Sequence, residues 1–169
     1  MIKKLIDGNR EFVNDMDDYT ANLINDLSTN GQHPYALIIT CSDSRVIPEY
    51  IFNKNFGELF VIRTAGNQIN DGELGTIEYA IEHLGIKQIV VLGHTHCGAV
   101  HAAIHNEKGK FLDPILSKIK RAIGDITDEL LATNINAASV YDFIKEKFPN
   151  YDGLINKAIY DIETGKVYF

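Results

Sequence analysis

Apolar positions along the chain follow two periods. Residues 35–40 (YALIIT), 59–62 (LFVI, ending at Arg63) and 88–92 (QIVVL) are short continuous apolar runs, the pattern of strands buried on both faces. Between the second and third runs, Leu74, Ile77, Ala80, Ile81 and Leu84 recur at helical spacing, and Gly85 stands where a C-terminal cap belongs. The opening segment through Asn30 reads as helical, marked by Leu5, Phe12, Leu23 and Leu27, until Gly31, His33 and Pro34 break it. Another helix begins just after Gly98, with Val100, Ala103 and Ile104 on one face. Asp113-Pro114 predicts an N-cap followed by proline at the first helical position, opening a helix through Ile123. Residues 126–148 are mostly helical, with a break expected around 133–136, and residues 158–169 read as strand, turn (Glu163-Thr164-Gly165) and strand.

Strands alternating with helices define an α/β fold. The expected architecture is a mostly parallel central sheet of about four strands flanked by helices, with a C-terminal antiparallel edge strand. One domain spanning residues 1–169 is expected, residues 1–30 forming an N-terminal helical arm; about one domain also follows from 169 residues divided by roughly 150.

Composition narrows the function. Sixteen Lys and Arg against 23 Asp and Glu leave a formal net charge of −7, with no basic block. That balance argues against nucleic acid or an anionic membrane surface as partner. No apolar run approaches a membrane span of roughly 18 residues, and the opening Met1-Ile2-Lys3-Lys4-Leu5-Ile6-Asp7 lacks the features of a secretory signal. Two cysteines cannot build a disulfide framework; they suggest a reducing, cytoplasmic compartment in which each thiol is packing or chemistry.

Both cysteines follow strands. Cys41-Ser42-Asp43-Ser44-Arg45 comes directly after the first apolar run, and His94-Thr95-His96-Cys97-Gly98 directly after the third. Open α/β sheets bind ligands outside the carboxyl ends of their strands, where the strand order reverses. Two thiolates and one imidazole make a tetrahedral zinc site with one open position, the composition of a catalytic site. A single buried Cys at a strand end is ordinarily just a small hydrophobe, and Asp43 with Arg45 alone could be a surface ion pair of little consequence. Together, however, the two motifs use every cysteine in the chain at the two loops best placed to adjoin. His94 is preferred over His96 as the nitrogen ligand. His33 and His83 read as surface residues, and His101 and His105, four apart on a helix with no third ligand evident, as a polar face.

These stretches resemble a known family. Cys41-Ser42-Asp43-Ser44-Arg45-Val46-Ile47-Pro48, and Glu78-Tyr79-Ala80-Ile81 through Gly93-His94-Thr95-His96-Cys97-Gly98, look like the two signatures of the β-class carbonic anhydrases. Gly8-Asn9-Arg10-Glu11-Phe12-Val13 resembles that family's N-terminal helix motif, and Arg63-Thr64-Ala65-Gly66-Asn67 its R-x-A-G-N segment. The resemblance is specific over residues 32–98 and looser afterwards. It implies zinc held by Cys41, His94 and Cys97, and reversible hydration of carbon dioxide to bicarbonate and a proton by attack of zinc-bound hydroxide. It implies an Asp43–Arg45 dyad beside the metal, with Gln32 and the Gly98 N–H binding substrate and Phe60, Ala65 and Tyr79 lining an apolar pocket. It also implies a homodimer or larger homo-oligomer, in which Gln32 serves the neighbouring subunit and the N-terminal helix packs on it. Thr64 replaces a frequent Asn. Ile38 stands where members with a bicarbonate-regulated, closed site usually carry Trp, so an Asp43–Arg45 pair, rather than an Asp43–zinc bond, is expected. Two other readings stay open: a related zinc hydrolase acting on carbonyl sulfide or carbon disulfide, and a non-enzymatic zinc-binding module.

Overall fold

The computed structural model describes residues 1–169 and divides them into two compact units, Met1–His33 and Pro34–Phe169. The first unit holds helices α1 (Ile2–Asn14) and α2 (Asp18–Asn30). The expected single helical segment is thus two, because Asp17 acts as an N-cap: its carboxylate accepts from the Thr20 N–H at 2.7 Å. Neither helix contains a buried residue.

The second unit is built on a five-stranded sheet in the order β2-β1-β3-β4-β5, with β1 at Ala36–Cys41, β2 at Leu59–Thr64, β3 at Gln88–His94, β4 at Leu154–Tyr160 and β5 at Val167–Tyr168. The first four strands are parallel and β5 pairs antiparallel with β4, as the alternation of runs predicts. All six residues of β1 are buried. Leu37, Ile39, Val91 and Ile159 join the core beneath α4 (Asp71–Glu82) and α7 (Glu129–Lys147). Ala36, Ile38, Val90, Leu92 and Ala158 belong to the core that includes Ile51 and Phe52, around the short helix α3 (Pro48–Ile51). Helix α7 lies close on β3 at Gly93, where a Cβ would come within 2.9 Å of Ile159 Cδ1 and 3.3 Å of Ala137 Cβ. A third core, containing Cys41 and Cys97, lies under α5 (Gly98–Ile104) and α6 (Asp113–Ile123). No helix is long and apolar enough to cross a membrane.

Several local expectations shift. Helix α7 runs unbroken through 133–136, because Thr133 and Asn136 are buried and the Asn136 amide is fully engaged. Asp113 is not the N-cap of α6: it sits inside the first turn, and its carboxylate accepts from the Gly109 N–H at 2.9 Å. Helix α4 stops before Gly85, capped at His83, and begins with Glu73 reaching back to the Asn70 N–H at 2.8 Å. Helix α3 has no counterpart in the sequence reading.

Candidate metal centre

The strand order reverses between β1 and β3. From β1 the chain crosses to β2 on one side, then returns past β1 to β3 on the other. Cys41 is the last residue of β1, His94 the last of β3, and Cys97 the residue preceding α5. Parallel pairing of β1 with β3 therefore brings these three to one edge of the sheet. Their ligand atoms lie within 4.8 Å of one another, and all three residues are buried.

The imidazole is set for coordination. His94 Nδ1 is 2.8 Å from the Thr95 carbonyl oxygen, which can only accept, so Nδ1 carries the hydrogen and Nε2 the lone pair in the neutral ring. Thr95 is itself held, its N–H donating to the Tyr160 carbonyl at 3.0 Å and its Oγ1 accepting from the Ile162 N–H at 3.1 Å. Nε2 is buried with no hydrogen-bond partner. An orphaned buried acceptor costs about 1–3 kcal/mol, and a cation beside two thiols removes that cost. The donor set fits zinc.

The two thiols shift each other's acidity. Donation from Cys97, with help from the N–H groups of Asp43 and Gly66, pulls the Cys41 thiol down despite burial. Cys97, donating to Cys41 and buried, is pushed up, although the Ala99 and Val100 N–H groups at the start of α5 oppose that. A divalent cation held by both sulfurs displaces the protons of their thiols. The Gly66 N–H lies 3.4 Å from Cys41 Sγ. Gly66 has φ +62°, and a Cβ there would fall 2.9 Å from Ile119 Cδ1 and 3.1 Å from Ala99 Cβ, so the turn Ala65–Asn67 needs glycine on both counts. Its carbonyl accepts from Asn136 Nδ2 at 3.0 Å, and the Asn136 carboxamide oxygen accepts from Gln68 Nε2 at 2.7 Å.

Asp43 and Arg45 form a planar fork. Arg45 Nε donates to Asp43 Oδ1 at 2.9 Å and Nη2 to Oδ2 at 2.8 Å, while the Arg45 N–H also reaches Oδ1 at 2.9 Å. Arg45 Nη2 further donates to the His96 carbonyl at 3.2 Å, tying the first loop to the second. The guanidinium holds the Asp43 carboxyl far below the usual carboxylate range. Arg63, which the sequence marks only as a charge closing an apolar run and as the first residue of the R-x-A-G-N segment, donates to the Cys41 and Asp43 carbonyls at 3.3 and 2.8 Å.

The remaining candidates are placed less closely. His96 takes φ +54° and is exposed, its ring nitrogens facing Glu129 and Glu163, so it is not grouped with the sulfurs. His101 pairs with Glu129 at 2.6 Å and stacks near His105, with ring centroids 4.1 Å apart. His33 and His83 are exposed. Ala65 opens the turn that carries Gly66, and Gly98 opens α5, where a first-turn N–H has no partner within the helix. Phe60 and Tyr79 meet at 6.2 Å between centroids, but Phe60 packs on the core of Leu37 and Ile39, not on that of the cysteines. Gln32 is exposed and lies in the first unit.

A carbonic anhydrase family model matches residues 36–167. The carbonic anhydrase of Synechococcus elongatus is 34% identical, the match covering 98% of this chain and 70% of that protein. Carbonic anhydrase 2 of Mycobacterium tuberculosis is 44% identical over 60% of this chain, a stretch spanning half of that protein. Among solved structures, one of two tetrameric β-carbonic anhydrases from the filamentous ascomycete Sordaria macrospora superposes with a TM-score of 0.84 at 25% identity, covering 99% of this chain and 95% of that one.

Proposed function

This chain belongs to the β-carbonic anhydrase family, and from that premise we propose that it interconverts carbon dioxide and bicarbonate with zinc held by Cys41, His94 and Cys97. The observation that carries the ligand assignment is the His94 Nε2 lone pair, buried without a partner beside two thiols. Zinc, when bound, supplies Lewis acidity, which lowers the pKa of water from 15.7 to about 7 in carbonic anhydrases with three histidine ligands. Two thiolates donate more charge than imidazoles, so more of the work falls to the protein.

Asp43 is the catalytic carboxylate in this reading, and Arg45 its positioning residue. Of roughly four lone-pair directions on a carboxylate, three are taken by Arg45: two on Oδ1 and one on Oδ2. The free direction on Oδ2 accepts one hydrogen of the attacking water and turns its lone pair toward the carbon. With its pKa held so low, Asp43 stays ionised and orients this water rather than storing its proton. The fork also keeps Asp43 occupied away from the metal position. The Gly98 N–H and Gln32 would hold the substrate oxygens, with Phe60, Ala65 and Tyr79 forming apolar walls for a linear, nonpolar molecule. Phe60 packs on the core of Leu37 and Ile39 rather than on that of the cysteines, which suits a homodimer or larger assembly in which a neighbour supplies the apolar walls and Gln32, with the N-terminal helices as its arm. Two free buried thiols suit the cytoplasm.

The test is Cys97→Ser, which replaces a soft thiolate with a poor ligand. Elemental analysis of the wild type should give one zinc per chain together with carbon dioxide hydration in stopped flow, and both should be lost in the variant. Stoichiometric zinc in Cys97→Ser would overturn the ligand assignment.

A further inference from the structure

A cleft of about 420 Å³ opens between the turn after β2 and helices α6 and α7, lined by none of the three candidate zinc ligands. Its apolar walls are Ile69, Ala122, Val140 and Phe143, and its cations are Lys118 and Arg121. The two cations are three residues apart on α6, hence on one face. Lys118 Nζ donates to two neutral acceptors, the Ile69 carbonyl at 2.6 Å and Asn70 Oδ1 at 2.7 Å. Arg121 Nε donates to the Ser117 carbonyl at 3.2 Å, leaving both terminal guanidinium nitrogens unengaged. Neither cation is paired with a carboxylate, although the chain carries seven more acidic than basic side chains. In so acidic a protein, two uncompensated cations over an apolar wall that includes an aromatic ring define a complementary ligand.

We propose that this cleft binds a small amphipathic monoanion, an organic acid whose carboxylate or sulfonate meets Arg121 and Lys118 and whose apolar body lies against Phe143 and Val140. The volume is within the usual range for small-molecule sites, and so is an apolar lining with a few polar groups that fix orientation. The guanidinium supplies a bidentate fork for the anion and the ammonium a second point charge. The site shares no lining residue with the metal centre, so its occupancy is readable without any assay of hydration.

The experiment uses the zinc-loaded 169-residue chain and phenylacetate as probe, with phenylacetamide as its uncharged counterpart, followed by amide chemical shifts. The expected result is saturable shifts confined to residues 68–70, 118–122 and 139–143, with the amide at least about tenfold weaker, a loss of roughly 1.4 kcal/mol. Arg121→Gln, at an exposed position, should weaken phenylacetate about tenfold, the scale of one charge-assisted hydrogen bond. Ala122→Phe, which fills the cleft and leaves both charges, should abolish binding. Shifts centred on residues 41–45 and 94–98 would mean the acid sits on the metal and would overturn the proposal. So would equal affinity for acid and amide, unchanged binding in either variant, or no shift up to about 10 mM.

Discussion

The two ends of the central sheet handle polar groups in opposite ways. At the amino end, every polar group is paired locally or faces water: the Tyr151 hydroxyl donates to the Ile86 carbonyl at 3.2 Å, the Leu154 N–H to the Lys87 carbonyl at 2.9 Å, and Lys87 meets Asp152 at 2.6 Å in the open. At the carboxyl end, the same strands lead into two buried free thiols and an imidazole nitrogen with no partner. Yet the surroundings of that deficit are over-determined, with Gly66, Asn136, Thr95 and Arg63 each fixed by hydrogen bonds. Polar groups left wanting inside a rigid frame mark a place built to receive something. Polar groups merely satisfied mark a place built to close.

Breaking the frame without touching the ligands gives the largest effect expected. Arg45→Ala releases Asp43 and unties the two loops joined through the His96 carbonyl. Hydration kcat/KM should fall about 10–100-fold, as for other residues that orient a metal site's inner groups, while elemental analysis still finds zinc. Loss of zinc together with activity would mean Arg45 supports the fold of the site rather than the water.

Next comes the frame's anchor. Asn136→Ala removes the 3.0 Å bond to the Gly66 carbonyl and the 2.7 Å bond from Gln68 Nε2, leaving those two groups only their long 3.5 Å contact with each other. Each buried group left unpaired costs about 1–3 kcal/mol, so denaturant unfolding should show a loss of that order. Zinc affinity should fall with it, through the Gly66 N–H at Cys41. A stability loss with unchanged zinc affinity would separate the clamp from the metal centre.

How far the sequence discloses each end follows from the range of the interactions. Cys41, His94, Cys97, Asp43 and Arg45 are legible because residue type and position after an apolar run are both local signals. The fork itself spans only two residues. Asn136 is not legible: a polar residue within a helical stretch suggests a break, and its partners lie 68 and 70 positions away. Arg63 and Gly66 sit in a recognisable motif, but their contacts to Cys41 depend on how β1 and β2 pair. Phe60 and Tyr79 are apolar or aromatic at core spacing, so sequence alone cannot separate wall from core. The parallel sheet followed from strand–helix alternation, whereas caps such as Asp113 moved because a neighbouring N–H, that of Gly109, competed for the same carboxylate.

At the amino end the effects shrink. Tyr151→Phe removes one hydrogen bond to the Ile86 carbonyl, worth about 0.5–1.5 kcal/mol. Burial first, then the Asp152 charge, pushes the Tyr151 hydroxyl up to about 12. The folded value lies above the ordinary one of about 10. The group's contribution is therefore complete below pH 10 and is lost as pH rises from 10 to 12, because the unfolded chain ionises first. Wild type should lose stability over that interval more steeply than Tyr151→Phe; parallel alkaline melts check it, and identical slopes would refute it.

The smallest effect belongs to Asp152→Asn. The pair with Lys87 is short, but its side chains are 66% and 73% exposed, so water and salt screen it and side-chain entropy opposes it. The Lys87 hydrogen bond lowers the Asp152 pKa, so any contribution is present above the ordinary carboxylate value and disappears as pH falls through the lowered one. At neutral pH the variant's melting temperature should match the wild type's within error, with zinc content and hydration unchanged. Removing this charge should also ease the Tyr151 hydroxyl downward, so the alkaline loss still begins where the unfolded chain ionises but is smaller and levels off at a lower pH. A clear loss of activity in Asp152→Asn would mean that the two ends of the sheet are coupled, and the contrast between them would fail.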